Sequence, residues 1–359
     1  MKKQLLFCAV SAVAVGFTAC SDNDDYTPQV YEVTSSVCVL NQGNYYNNIE
    51  GSLNVLNLTD GSVTESAFSK TNGRSLGDTP QCGLSYGSKI YLGVYESNTV
   101  EVLDKNTFKS ISQIKLANTG VQGQQPRSMV SSDGYVYIAM YDGYVARLDT
   151  VTLTIDKSVK VGPNPEIMVL SGNYLYVPNS DGMNYPNYGT TASVVDVKSL
   201  QVVKTITVPM NPYQFFDTAH GLYLLCKGNY GDLASKLYKV ESDNNISEVC
   251  DATMAAANSN TIVTVNDPFY GAQPAEYKII NLITGQINDF KFDDVKYAAS
   301  LYLSDDMLFI SSYNMNGQYP SYDTPGYVCV YDQYLKLIKK FNVGVGPSWI
   351  FSTTSKILM

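Results

Sequence analysis

Apolar and polar residues alternate along most of the chain in short runs. Val136, Ile138 and Met140 form a typical run, and residues such as Gly, Asn, Asp or Ser bound it on either side. Alternation with a period of two over such short segments predicts β-strands. No window of about a dozen residues in the repeated region has a helical period. The pattern therefore predicts an all-β fold of many short strands.

The strand pattern recurs with a period near 45 residues. The third strand of each unit ends at one residue of the set Asn57, Asp104, Asp149, Asp196, Glu241, Asn281 and Asp332. Asp and Asn suit this position because their side chains accept hydrogen bonds from the backbone two residues further on and so begin a turn. Seven units of four short strands predict a seven-bladed β-propeller, since a β-sandwich would have fewer strands and no such period.

The two ends of the repeat predict how the ring closes. A proline begins the first strand of several units: Pro80, Pro126, Pro165, Pro212 and Pro347. The first unit, near residues 36–69, has only three strands of its own. We therefore expect the segment Gly346–Phe351 to supply the innermost strand of the first blade, which removes an open sheet edge. The predicted propeller spans residues 36–359.

The N-terminus has the features of a secretory signal. Lys2 and Lys3 precede the apolar run Leu5–Phe17, which is too short to span a membrane. The sequence that ends at Cys20 resembles a bacterial lipobox, in which the cysteine is lipidated. An alternative is ordinary cleavage with an incidental cysteine. We predict a signal peptide over residues 1–19 and a lipidated Cys20 at the start of an acidic tether over residues 20–35.

The tether and the charge bear on location and partners. The Ser-Asp-Asn-Asp-Asp segment after Cys20 resembles the acidic export signal of lipoproteins in some Gram-negative anaerobes. In other bacteria an Asp after the lipidated cysteine retains a lipoprotein in the inner membrane. We expect an outer-membrane lipoprotein that faces the cell exterior, with a periplasmic orientation left open. A net charge of −9 and the lack of a basic cluster argue against a nucleic-acid partner.

The residues of common enzyme sites are scarce. His220 is the only histidine and lies in a predicted hairpin turn, which argues against a His-rich metal site or a conventional catalytic triad. The five cysteines after Cys20 contain no CxxC motif, and we interpret them as buried free thiols. The sequence thus predicts neither an enzyme nor a cofactor or metal site.

Tyrosine is concentrated in the loops that join the second and third strands of each blade. These loops, residues 42–51, 95–98, 141–143, 179–191, 227–235, 266–276 and 313–326, hold 11 of the 29 tyrosines. We select as ligand-binding candidates Tyr45, Tyr46, Tyr95, Tyr141, Tyr185, Tyr188, Tyr230, Tyr270 and Tyr313. Tyrosine gives a large contact area with little loss of rotamer freedom. The alternative is that each tyrosine merely covers the end of a blade.

A second set of candidates follows the prolines that begin the first strands. Gln81, Arg127, Glu166, Tyr213 and Ser348 occupy the position after each proline and are expected near the channel mouth. They are polar, mixed in charge and different from one another, which suits a large, irregular polar ligand. Alternatively, they could just solvate the channel entrance. Trp349 is the only tryptophan. We place it on the rim as an anchor, with burial in a blade as the alternative.

The repeat resembles the YncE-like seven-bladed propellers. The resemblance rests on a Gly-x-x-Tyr-Val second strand, a Val-x-Val-x-Asp third strand and fourth strands such as Lys204-Thr-Ile-Thr-Val and Lys340-Phe-Asn-Val-Gly. With the lipobox and the acidic tether, the chain is most similar to the BtuG family of cobalamin-binding surface lipoproteins. This resemblance implies capture of vitamin B12 or a related corrinoid on the propeller face. It also implies transfer to a TonB-dependent outer-membrane transporter.

Two other functions remain open at this point. The same loops would suit a scaffold that binds a protein or a glycan without any small-molecule ligand. A propeller lyase or lactonase is the third possibility, and the shortage of histidine argues against it.

Overall fold

The computed structural model describes residues 30–241, 245–269, 271 and 273–358. It confirms the predicted fold class: seven antiparallel four-stranded sheets are arranged as the blades of a β-propeller. The predicted signal peptide, Cys20, most of the tether and Tyr270 lie outside the described residues. No helix in the described ranges is long and apolar enough to cross a membrane.

Each blade is named here by its number, with its strands ordered from the channel outward. Blade 1 contains Pro347–Leu358, Val30–Asn41, Ser52–Leu56 and Val63–Thr64. Blade 2 contains Pro80–Tyr86, Lys89–Val94, Thr99–Asp104 and Ser110–Lys115. Blade 3 contains Pro126–Ser132, Tyr135–Met140, Tyr144–Asp149 and Ile155–Lys160. Blade 4 contains Val169–Ser171, Tyr174–Asn179, Thr191–Asp196 and Gln201–Thr207.

The remaining blades follow the same plan. Blade 5 contains Pro212–Thr218, Gly221–Cys226, Lys236–Val240 and Ile246–Asp251. Blade 6 contains Met254–Ala257, Thr261–Asn266, Glu276–Asn281 and Ile287–Phe290. Blade 7 contains Ala298–Leu303, Met307–Ser312, Pro325–Asp332 and Leu337–Val345, and its longest loop holds a small hairpin of Met315–Asn316 and Tyr319–Pro320. The short helices are Ala67–Asn72 (α) and the 3-10 turns Tyr45–Asn47 and Leu116–Asn118.

The ring closes through the C-terminal strand, as the proline spacing predicts. Pro347–Leu358 pairs with Val30–Asn41, with Trp349 opposite Leu40 and Phe351 opposite Cys38. The first strands of successive blades contact one another all the way round, including the contact of Pro347–Leu358 with its neighbours in blades 2 and 7. These strands therefore surround the central channel.

The core is divided among the contacts between blades. Seven clusters of buried apolar side chains each join two neighbouring blades, so that each of the seven blade interfaces has its own cluster. Side chains from both faces of every sheet are buried this way, because a propeller blade packs against a neighbour on each side. The helix Ala67–Asn72 adds the buried Phe68 to the cluster between blades 1 and 2.

The top face of the propeller

One side of the propeller, which we call the top face, carries two sets of segments. These are the loops that join the second and third strands of each blade and the segments that lead into each first strand. Repeated backbone hydrogen bonds join these two sets of segments. The N–H of Tyr95 donates to the carbonyl oxygen of Thr79 at 2.9 Å, and the N–H of Tyr141 donates to Gln125 at 2.9 Å. Equivalent bonds join Gln42 to Gly346, Ser180 to Asn164, Lys227 to Asn211 and Tyr313 to Tyr297. The loops and the channel mouth therefore share one face.

The backbone before each proline fixes the direction of the residue that follows it. Thr79, Gln125 and Asn211 have φ angles of 58°, 63° and 60°, in the left-handed region that non-glycine residues rarely adopt. Asn164 and Gly346 occupy the same position with φ angles of 45° and 67°. This repeated conformation turns the chain sharply into each first strand at the channel mouth.

Three of the predicted residues meet in one hydrogen-bonded cluster. The Nε of Arg127 donates to Oε2 of Glu166 at 2.6 Å, and its guanidinium also donates to Oε1 of Gln81. The hydroxyl of Ser180 donates to the other oxygen of Glu166 at 3.3 Å. Glu166 is only 4% exposed. Side chains from blades 2, 3 and 4 are thus held in a fixed polar wall.

The neighbours of Arg127 keep its guanidinium group protonated and charged. Burial is the largest single effect on the pKa of Arg127 and lowers it, but Glu166, Tyr213 and Tyr141 together outweigh burial and hold that pKa above its ordinary value. The guanidinium carbon also lies 5.4 Å from the ring centroid of Tyr141. Burial and the Glu166 charge raise the pKa of Tyr141 to about 12, so its hydroxyl remains a neutral hydrogen-bonding group.

Tyr213 continues the wall on blade 5 beside a lysine that the sequence did not single out. The Nζ of Lys227 lies 4.4 Å from the ring centroid of Tyr213 and donates to the carbonyl oxygen of Thr253. Lys227 follows the second strand of blade 5, the position that Tyr95 and Tyr141 occupy in blades 2 and 3. Aligning the units at that position would have found it.

Blade 6 supplies an apolar stretch of the channel wall. Met254, Ala255 and Ala257 of blade 6 line a cavity of about 350 Å³ that Arg127 also lines, and blade 7 adds Leu301 together with the polar Ser300. The units of blades 6 and 7 have no proline at this position and begin with Met254 and Ala298. The wall is therefore mixed, with the hydrogen-bonded cluster on blades 2 to 4 and an apolar stretch on blade 6.

Trp349 lies in the channel wall and not on the rim. Its indole N–H donates to the carbonyl oxygen of Gly83 at 2.9 Å, and the ring packs against the clusters between blades 1 and 2 and between blades 2 and 3. The predicted rim position is wrong because Trp349 belongs to the innermost strand, where its side chain fills the contact with blade 2. It still lines the cavity.

The loop tyrosines divide into a half-buried inner group and an exposed outer group. Tyr95 and Tyr141 pack edge to face with centroids 5.7 Å apart near the Arg127 cluster. Tyr313 packs against Tyr297 at 5.8 Å and Tyr322 at 5.0 Å, and the sequence did not single out either partner. The inner rings Tyr95, Tyr141, Tyr297 and Tyr313 are half-buried, whereas Tyr322 is 50% exposed and belongs to the outer group.

The outer group lies on the rim. Tyr188 joins Tyr185 of its own loop, at 6.0 Å, to Tyr230 of the next loop, at 5.8 Å. On blade 1, Tyr45 and Tyr46 are in contact at 5.9 Å, and Tyr46 is 92% exposed. These rings meet edge to face, with interplanar angles of 78°, 70° and 76°, so the contacts leave ring faces open on the rim.

The histidine considered as a catalytic candidate does not lie on this face. His220 lies in an exposed hairpin turn on the opposite face, where its ring nitrogen is 3.2 Å from Oδ1 of Asn260. Within the part of the chain that the structure describes, no group of three His, Cys, Asp or Glu residues could hold a metal ion. Cys38, Cys82, Cys226 and Cys329 are buried free thiols, and Cys250 is half-buried.

Fold and site define a seven-bladed propeller with an aromatic, asymmetric top face. The chain belongs to the DUF5074 family, described as a domain of unknown function, whose model matches residues 36–221, just over half of the chain. None of the curated proteins matches the sequence.

Solved structures share the fold at low sequence identity. A functionally unknown protein from Desulfotomaculum acetoxidans DSM 771 is 8% identical with a TM-score of 0.61, over 89% of this chain and 99% of that one. A protein from Bacteroides uniformis ATCC 8492, provisionally named a 6-phosphogluconolactonase, is 11% identical with a TM-score of 0.60, over 89% and 100%. The dihydro-heme d1 dehydrogenase NirN, in complex with DHE, is 13% identical with a TM-score of 0.54, over 89% and 75%. At these identities the likeness concerns the fold alone.

Proposed function

We propose that this protein is a lipid-anchored outer-membrane protein that captures a corrinoid, such as cobalamin, on its top face. The proposal rests on the location of the exposed aromatic side chains. Of the ten strongly exposed aromatic side chains among the described residues, seven are in the second-to-third loops: Tyr45, Tyr46, Tyr185, Tyr230, Phe269, Tyr319 and Tyr322. Monomeric proteins rarely gather exposed apolar groups on one side without a binding role.

The shape of the face suits a large flat ligand. A corrin is broad, mostly apolar on its faces and ringed by amides. It is larger than the channel cavity of about 350 Å³, so it would lie across the mouth with an edge group directed inward. Tyrosine rings would pack on its faces, while the apolar stretch of blade 6 would accept its methyl groups.

The polar side chains at the mouth favour neutral hydrogen-bonding groups on the ligand. The Arg127 guanidinium and the Glu166 carboxylate are paired at 2.6 Å and largely cancel each other's charge. Gln81, Tyr213 and Ser348 add neutral donors and acceptors to the same cavity or its edge. Side-chain amides of a corrinoid would pair with such groups without the cost of burying a net charge. No metal ligand from the protein is required.

The predicted lipid anchor gives the capture site its biological setting. An anchored propeller would raise the local concentration of ligand beside a TonB-dependent transporter, as tethering does for any second binding event. Transfer would then require only that the transporter compete for the exposed part of the ligand.

Calorimetric titration of residues 21–359 with cyanocobalamin tests the proposal. We expect saturable heat with one ligand per chain and a rise in melting temperature with ligand concentration. If the titration shows no heat and the melting temperature does not change, the corrinoid proposal is wrong.

A protein- or glycan-binding scaffold is the second candidate, because exposed tyrosines also serve such surfaces. Purification of the tagged chain from its own membrane, followed by mass spectrometry, separates the two. A stoichiometric partner without any small molecule would favour the scaffold.

A further inference from the structure

We propose that a separate pocket between blades 5 and 6 binds a small planar molecule with one carboxylate, for which Lys227 provides the positive charge. The pocket encloses about 410 Å³, a volume within the usual range for small-molecule sites. Its wall includes Lys227, Tyr230, Leu233, Met254, Phe269 and Tyr297. Nothing in this proposal depends on the corrinoid, although Met254 also lines the neighbouring channel cavity.

The ammonium group of Lys227 is held without an opposite charge. Its described partners are the carbonyl oxygen of Thr253 and the ring of Tyr213, and no carboxylate among the described residues lies within 4.0 Å. Burial lowers the pKa of Lys227 to about 8, against the opposing effect of the Glu166 charge. A sequestered ammonium without a counter-ion is costly, and a ligand carboxylate would remove that cost.

The other polar groups of the pocket already have partners. The hydroxyl of Ser235 is hydrogen-bonded to the carbonyl of Ala252 at 2.6 Å, and that of Thr253 to Val265 at 3.1 Å. The carboxylate of Asp267 accepts the N–H of Gly271 at 3.0 Å. Asp267 places a negative charge in the wall, so a ligand with two carboxylates would be disfavoured.

The aromatic side chains indicate the rest of the ligand. Tyr230 and Phe269 come from two different loops and are 57% and 52% exposed, and Tyr297 adds a third ring. Apolar rings that line a cavity and remain open to solvent are suited to cover the faces of a planar molecule. An aromatic monocarboxylate therefore matches both the rings and the single free positive charge.

Two probes of equal shape test the proposal: 2-naphthoate, which carries a carboxylate, and 2-naphthalenemethanol, which is neutral. Titrations followed by ligand fluorescence at pH 7 should show tighter binding of naphthoate. Lys227→Met should weaken naphthoate about tenfold or more, the usual loss for a charge-assisted hydrogen bond, and leave the neutral probe unchanged. Phe269→Ser should weaken both probes.

Lys236→Met is the matched control, because Lys236 lies in the same blade and pairs with Glu248 at 2.7 Å. It should bind both probes as the unmodified protein does. Circular dichroism of each variant verifies the fold. Equal affinity for the two probes, no binding of either, or unchanged naphthoate binding in folded Lys227→Met would overturn the proposal. Cyanocobalamin titration is a separate measurement, so either proposal can fail alone.

Discussion

At the scale of single residues, the turns after the third strands show how far local sequence determines structure. The carboxylate of Asp149 accepts the N–H groups of Val151 and Thr152, both at 2.8 Å. The Asn57 and Asn281 side chains make the same bonds in blades 1 and 6. All these partners lie two or three residues away, which is why the sequence alone predicted the turns correctly.

Lys227 gives a pH prediction at this scale. Its pKa is lowered to about 8 by burial, whereas an unfolded lysine titrates at about 10.4. Between these values the unfolded chain keeps a proton that the folded chain has lost, so the free energy of unfolding should rise with pH. The contribution is at most about 1.4 kcal/mol per pH unit. Urea unfolding at pH 7, 8 and 9 should show this rise relative to Lys227→Met.

Lys236 supplies the control for this experiment. The hydrogen bond to Glu248 raises the pKa of Lys236, so its stabilising effect is complete below the unfolded pKa and is lost only above it. Lys236→Met should therefore keep the same rise between pH 7 and 9 as the unmodified protein. If the free energy of unfolding changed with pH in the same way for the unmodified protein and Lys227→Met, the lowered pKa assigned to Lys227 would be contradicted.

At the scale of elements, the sequence repeat predicted the regular strands of each blade. It did not predict where the structure departs from that regular plan. The helix Ala67–Asn72 is only six residues long, too short to show a helical period in the sequence. Blade 4 has an innermost strand of only three residues, and Ile167 just before it pairs with the first strand of blade 5. This pairing places Glu166 beside Tyr213 at the mouth, and no local pattern indicates it.

The C-terminal strand gives the prediction for this scale. A chain that ends before Pro347 loses Trp349, Ile350 and Phe351, which fill the contacts of blade 1 with its neighbours. At about 1.5–3 kcal/mol for each large apolar side chain, the loss approaches the total stability of a typical domain. We expect this chain to show no cooperative thermal transition in calorimetry.

A chain that ends at Thr353 is the comparison for the truncation. It keeps the pairing from Pro347 to Thr353 opposite Asn41 to Ser36, which completes blade 1. It should unfold cooperatively, close to the full chain. Cooperative unfolding of the shorter chain as well would mean that the ring does not depend on closure by this strand.

At the scale of the whole molecule, the top face collects residues that are far apart in the sequence. Tyr185 and Tyr230 reach each other through Tyr188, and the Asn44 side chain donates to the carbonyl oxygen of Tyr322 at 3.0 Å. The first and last blades are thus linked across the closure of the ring. This surface exists only once all seven blades are in place.

The rim tyrosines give the prediction for this scale. Tyr185→Ser combined with Tyr230→Ser should weaken cyanocobalamin binding at least about tenfold, because each removes an aromatic contact with the ligand. Tyr174→Ser combined with Tyr334→Ser is the control. Tyr174 begins the second strand of blade 4 and Tyr334 lies in a turn, both at the opposite face, and they are 41% and 81% exposed. Calorimetry on both double variants makes the comparison, and an equal loss in both would argue against binding at the rim.

The sequence by itself determined the strand alternation, the seven units, the turn residues and the closing strand, because each depends on neighbours in the chain or on a constant repeat length. Only the tertiary structure decided that Arg127 joins Gln81 to Glu166, that Trp349 fills the channel wall and that Lys227 lies in a pocket between blades. Those contacts depend on how one blade packs against the next. Side chains separated by a whole unit or more meet there, and the pattern within a unit does not specify which of them will touch.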